Sequence, residues 1–390
     1  MKLYFDDANF DGQLQRSVGK ADSGMANVGE CLAIAAQITP GDRDSWYSAW
    51  SDFASRLVGH ADVARHAAHP VSARGGYLRA AEYFRQAFFF HRDDLDATEL
   101  RTAYAASVAA FGQALPLLDH PAEAFAGEGF SGYVFTPNAA GRQPRPTILH
   151  IGGYDGTAEE LYASAGAALE RGYVFAAIDG PGQGSVLYDQ RIPMRPDWEH
   201  VVPAMVDALV ARPDVDPDQI VLVGRSFGGV LAPRGASGEP RLSAMVVDPG
   251  QFDMGLTLKS RLGDMLDRVD DPAADPEFDS LLTIPPVRDL FAPRMVTHGV
   301  TTVRAYCADM LRYTSADTIG QVTCPSYVTD NETDLVSSGQ GQVLFDHLSC
   351  PKTFRRFTLD EGAEGHCEGM APIVFWTAAF DWLDELLAAR

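Results

Sequence analysis

Ser226 lies in VLVGRSFGG, residues 221–229, between glycines and directly after an apolar run. Within it, G-R-S-F-G matches G-x-S-x-G, the pattern of a sharp strand-to-helix turn that lifts a serine hydroxyl above a sheet. The flanking glycines let such a turn approach neighbouring backbone without side-chain clashes. The context fits: IVLVG before it reads as a buried strand, and FGGVLAPR after it as a helix start. A serine hydroxyl is a weak nucleophile until a base takes its proton, and the base needs an orienting acid. Where this turn occurs, the chain order is Ser, then Asp or Glu, then His.

Among the histidines that follow Ser226, His366 stands in the glycine-rich DEGAEGHCEG, after the last strand and before the last helix. That position can bring an imidazole over the serine. His347 falls in an apparent helix, GQVLFDHL, and His298 in an insertion. For the acid, Asp334 follows the strand PSYVTD in a loop; Asp330 and Glu332 are rivals in that loop, and Asp248 ends another strand. An oxyanion hole would combine the Phe227 amide with one from HIGGYDG, supplied by Gly153 or Tyr154. DGPGQGS, residues 179–185, lacks the spacing and lysine of a phosphate loop and reads as a loop at the sheet edge.

The elements that must position these groups begin near residue 129. GYVFTPN, PTILHIGG, YVFAAIDG, QIVLVG, LSAMVVDPG, PSYVTDN and KTFRRFTL read as strands. Helical segments alternate with them. In TAEELYASAGAALERG, Thr157 and Glu160 form a T-x-x-E capping box and Gly172 closes the helix. DWEHVVPAMVDALVARP carries an apolar stripe, with Pro203 awkward inside it. The expected fold is α/β, a mostly parallel sheet flanked by helices. Residues 1–128 read as a helical region without strands, with Trp46, Trp50, Phe53, Leu57 and Val58 on one helix face. Residues 129–253 and 319–390 read as the two parts of the core. Between them, 254–318 form a helical insertion after the sixth strand, long enough to be a lid.

Composition narrows the function. The 390-residue chain carries a net charge of −22, which argues against nucleic acid and anionic membranes as partners. No apolar run is long enough to span a membrane, and the start has acidic residues where an export signal needs an apolar core. Cys31, Cys307, Cys324, Cys350 and Cys367 are scattered without a C-x-x-C pair, so reduced thiols and a cytoplasmic location are expected, with no metal site. No cofactor is expected.

HIGGYDG, AAIDGPGQGS, VGRSFGG, VTDNETD and GAEGHC, in that order, resemble the α/β-hydrolase superfamily. HPVSARGGYLRAAEYFRQAFFF, PDWE and GGVLAPRGAS are similar to the group of FrsA-like esterases, fungal yellowish-green-type polyketide hydrolases and 2,6-dihydroxypseudooxynicotine hydrolase. The resemblance implies an N-terminal helical cap and a triad of Ser226, Asp334 and His366. Some members cleave a carbon–carbon bond beside a carbonyl with one further carboxylate after the elbow; here DPGQFD offers Asp248 and Asp253 but no glutamate.

The expected activity is therefore serine hydrolysis of an ester, thioester or C–C bond beside a ketone in a polyketide-like or aromatic molecule. Acyl transfer from the same acyl-serine, or an inactive binding protein on this scaffold, are the alternatives. Expected partners are a small-molecule carbonyl substrate and at most a second copy of the chain. Tyr77, Tyr83, Phe84 and Phe88, next to Arg79, either line an aromatic pocket between cap and core or pack the cap itself.

Overall fold

The computed structural model describes residues 2–138, 143–337 and 339–388. Five helices come first: α1 (Ala8–Val18), α2 (Val28–Ala35), α3 (Arg43–His66), α4 (Pro70–Ala87) and α5 (Thr98–Ala114). Trp46, Trp50 and Leu57 are buried on the expected face of α3. Gly76 of α4 lets the two helices close up, since a Cβ there would lie 2.8 Å from the Ala61 Cβ.

An eight-stranded sheet follows: β1 (Ala122–Gly127), β2 (Phe130–Phe135), β3 (Arg145–Ile151), β4 (Val174–Asp179), β5 (Val215–Arg225), β6 (Leu242–Asp248), β7 (Ser326–Asn331) and β8 (Lys352–Phe357). Their order is β1-β2-β4-β3-β5-β6-β7-β8, antiparallel between β1, β2 and β4 and parallel elsewhere. Every residue of β4, β6 and β7 is buried, as expected of strands covered on both faces.

Helices α6 (Ala158–Leu161), α7 (Ala165–Leu169), α8 (Gly184–Tyr188), α9 (Val202–Val210), α10 (Gly228–Ser237), α15 (Gln340–His347) and α16 (Pro372–Ala388) connect or close the strands. The segment between β6 and β7 forms α11 (Met254–Leu262), α12 (Asp275–Asp279), α13 (Pro285–His298) and α14 (Val303–Met310). Two apolar cores result. One joins the N-terminal helices to α16 and one sheet face; the other joins α9, α10 and the α11–α14 insertion to the opposite face.

Several expectations need correction. Residues 1–128 are not strand-free: β1 is an Ala-rich edge strand whose only neighbour is β2, so it needs no apolar run. Pro203 does not interrupt a helix. It sits in the first turn of α9, where its missing N–H costs nothing. The helix expected after Thr157 is broken into α6, a 3-10 turn and α7. Thr157 caps α6, but the Glu160 side chain turns instead to Arg16 and Lys20. DGPGQGS follows β4, which is third in the sheet, so it lies on an internal strand's rim and not at an edge.

The parallel register aligns the chemistry. Ile151 pairs with Gly224 and Arg225 with Asp248, so the loops after β3, β5 and β6 leave from one rim. In open α/β sheets, ligands bind outside that carboxyl rim.

Candidate active site

Ser226 joins β5 to α10 with φ at +59°, a left-handed conformation costly for a residue with a Cβ. Two contacts hold it there: its amide donates to the Asp248 carbonyl at 2.8 Å, and Gln251 Nε2 donates to its carbonyl at 2.8 Å. The turn is so tight that a Cβ on Gly224 would lie 2.2 Å from the Gly228 carbonyl oxygen. That explains the first glycine of the motif.

His366 and Asp334 meet the serine from two other loops. His366 Nε2 lies 2.8 Å from Ser226 Oγ, and His366 Nδ1 lies 2.9 Å from Asp334 Oδ2. The Val336 amide donates to Asp334 Oδ1 at 2.7 Å, and the Ser337 hydroxyl donates to Oδ2. Burial pushes the Asp334 pKa up, but His366, Ser337 and the Val336 amide outweigh it and hold the carboxyl at about 2. Burial favours a neutral His366 ring; the Cys367 sulfur and Asp334 oppose it and draw its pKa well above the ordinary histidine value. The arrangement can pass a proton from the serine hydroxyl to the ring and stabilise the resulting imidazolium.

Gly153 packs directly on the serine: a Cβ there would lie 2.8 Å from Ser226 Oγ and 2.7 Å from the Phe227 amide nitrogen. The loop is held by Gln183, whose Nε2 donates to the carbonyls of Gly152 at 2.7 Å and Gly153 at 3.2 Å. Tying down these carbonyls orients the intervening peptide planes. Tyr154 stacks on Phe227 with ring centroids 4.0 Å apart. Gln183 comes from DGPGQGS, whose glycine content was the only sequence signal for it.

Beneath the turn, Arg225 ties the serine strand to the histidine loop. It donates to Asp248 Oδ2 at 2.7 Å, the Cys367 carbonyl at 2.8 Å and Glu368 Oε2 at 3.2 Å. Cys367 and Glu368 both have positive φ, 54° and 56°, so this grip restrains a strained turn.

The remaining acidic candidates are engaged elsewhere. Asp248 is fully buried between Arg225 and the Thr329 hydroxyl, and Asp253 caps α11 and accepts from Thr314 at 3.0 Å. Asp253 thus staples the two ends of the insertion. Asp330 accepts from the Asn331 amide, and Glu332 from the Leu359 amide.

His347 is exposed and stacks on Phe252. His298 makes a second histidine–carboxylate pair, with Nδ1 2.7 Å from Asp309 Oδ2 and Nε2 2.8 Å from the Tyr154 hydroxyl. It fastens α13 and α14 to the loop that carries Gly153. No local sequence pattern links His298 to Tyr154, 144 residues earlier.

The aromatic residues of the N-terminal region pack that region. The Tyr77 hydroxyl donates to Asp62, Tyr83 donates to Glu30 at 2.8 Å, and Arg79 pairs with Glu30 at 2.9 Å. Phe88 sits edge-on to Tyr104 and Tyr188. Tyr77 and Phe84 line an apolar cavity of about 280 Å³ between α3, α4 and α5, and no sheet residue borders it.

Among the described residues, no helix is long and apolar enough to cross a membrane, and no three His, Cys, Asp or Glu side chains could hold a metal ion.

Comparison with known proteins agrees with this architecture. Residues 148–347 match the Alpha/beta hydrolase family. The chain is 31% identical over 411 residues to the hydrolase acrC of Aspergillus aculeatus, covering 96% of each. It is 34% identical over 265 residues to the 20-hydroxy-prefusarin hydrolase FUS2 of Gibberella moniliformis, covering 65% of this chain and 63% of the relative. In structure it resembles 2,6-dihydroxy-pseudo-oxynicotine hydrolase, with a TM-score of 0.74 and 23% identity over 95% and 96% of the two chains.

Proposed function

Because the chain belongs to the alpha/beta hydrolase family, we propose that it hydrolyses a small carbonyl compound through Ser226, His366 and Asp334. One observation carries the reading: an unbroken line of hydrogen-bonding contacts from Ser226 Oγ through the His366 ring to a buried carboxylate. Ser226 Oγ attacks the carbonyl carbon while His366 Nε2 takes the hydroxyl proton. The amides of Phe227 and of Gly153 or Tyr154 receive the developing oxyanion. The bond to the leaving group breaks, and the departing alkoxide, thiolate or enolate takes the proton from His366. Water, deprotonated by His366, then opens the acyl-serine ester, which releases a carboxylic acid and restores the serine.

The substrate class is the one expected from the sequence, a polyketide-like or aromatic molecule with an ester, thioester or C–C bond beside a ketone, and a relative named as a 20-hydroxy-prefusarin hydrolase supports a small-molecule substrate. Incubation with a fluorophosphonate, followed by peptide mass mapping, tests the assignment. Modification of Ser226, absent in Asp334→Asn or strongly slowed there, is the expected result. An unmodified Ser226 in folded protein overturns it.

A further inference from the structure

Arg294, on α13, is a cation without a carboxylate. Its guanidinium carbon lies 4.9 Å from the centroid of the Tyr154 ring, and against burial the Tyr306 and Tyr154 side chains and, at longer range, Asp155 raise its pKa. Among the described residues it forms no salt bridge. The acids that could neutralise it are already engaged. Asp155 pairs with Arg92 and, at 4.0 Å, with Arg16. Asp309 pairs with His298 and with Arg312, each at 2.7 Å.

Buried charges in folded proteins are normally paired, because desolvation without a partner is costly. Arg294 is half-buried. A second guanidinium sits nearby. Arg261 of α11 donates only to the carbonyls of Leu335 and Val336, at 2.8 and 3.0 Å, in the loop that carries Asp334. Burial and the repulsion of Arg294 lower its pKa, against the opposing pull of Tyr306 and Asp334.

The location joins this pair to the chemistry. Tyr154, under Arg294, follows the Gly153 that abuts Ser226 Oγ and stacks on the Phe227 that follows the serine. In a protein of net charge −22, one arginine over the Tyr154 loop and another on the Asp334 loop, neither in a salt bridge among the described residues, call for an anion.

We propose that Arg294, assisted by Arg261, receives an anionic oxygen of the substrate, so that the enzyme selects carbonyl compounds bearing a carboxylate or an acidic enol. The planar guanidinium matches the delocalised O–C–O of a carboxylate or the O–C–C–C–O of an enolised 1,3-dicarbonyl. This deepens the serine-hydrolase reading and rests on it.

The test compares 4-nitrophenyl hydrogen glutarate, which is anionic, with the neutral 4-nitrophenyl valerate. In Arg294→Met the ratio of kcat/KM for the anionic over the neutral ester is expected to fall about tenfold or more, and Arg294→Lys to recover part of it. A ratio unchanged within about twofold, in protein whose Ser226 still reacts with a fluorophosphonate, overturns the proposal.

A second measurement needs no variant. On the unaltered enzyme, phenylacetate and an acidic cyclic 1,3-diketone should each slow fluorophosphonate labelling more than phenylacetamide and the O-methyl enol ether do. Protection by one anion alone assigns the site to that class, and equal behaviour of anions and neutral analogues overturns it. If Ser226 neither labels nor turns over either ester, the hydrolase reading itself has failed, and this proposal with it.

Discussion

Two helical regions grip the loop beside Ser226, by different means. The N-terminal helices hold it with cations that each meet a carboxylate. Arg16 donates twice to Glu160, at 2.7 and 2.6 Å, Lys20 bridges Glu82 and Glu160, Arg85 pairs with Glu82, and Arg92 meets Asp155. The insertion holds the same loop through Tyr154, by His298 and by ring packing, and leaves Arg294 and Arg261 without acids. A closed ion network anchors, whereas unpaired cations beside a nucleophile are available to a ligand. Substrate choice is accordingly assigned to the insertion, and support to the N-terminal region.

The difference can be broken from either side. Glu82→Ala removes a buried acid and leaves Lys20 and Arg85 to share Glu160 alone, so it should cost roughly 3–5 kcal/mol in denaturant unfolding. The comparison fails if that loss stays within 1 kcal/mol or so. His298→Ala takes one partner from the buried Tyr154 hydroxyl and one from the Asp309 carboxylate, with an expected stability loss of about 1–3 kcal/mol. Because it loosens the loop at Gly153, kcat for a simple aryl ester should fall while KM changes little. Equal kcat in that variant would mean that the insertion does not position the loop.

Tyr83→Phe in the N-terminal region removes the hydroxyl that donates to Glu30 and accepts from the Asn27 amide, and should cost about 1–2 kcal/mol. It should leave the preference between anionic and neutral esters untouched; a changed preference would return substrate choice to these helices.

The smallest effect is a displaced pH limb. His366 must be neutral to accept the serine proton, so kcat/KM falls as pH drops through its pKa. That pKa is raised, partly by Asp334, so the limb should lie above the ordinary histidine value of about 6.5. Asp334→Asn should move the residual activity's limb to lower pH. A limb at or below the ordinary value in the unaltered enzyme contradicts the pairing.

Much of this molecule is legible in its sequence because the relevant signals are local. Strands buried on both faces must be apolar runs, so β3 to β7 can be read directly, and the glycine-rich loops follow them in order. β1 escapes because an edge strand of alanines needs no such run. The contact of Ser226, Asp334 and His366 agrees with chain order and loop position. The Arg225–Glu368 contact spans 143 residues, and no periodicity encodes it. The aromatic stripe of α4 is a different failure: the same helical spacing serves a pocket wall or a core, and only burial decides. Tyr77 and Tyr83 are wholly buried, which decides for the core.

The most direct test of Ser226 as nucleophile is kcat/KM of Ser226→Ala on an ester that the unaltered enzyme turns over. A fall of about 10⁴ or more is expected, with the fold unchanged by circular dichroism. Turnover within about tenfold of the unaltered enzyme would contradict it.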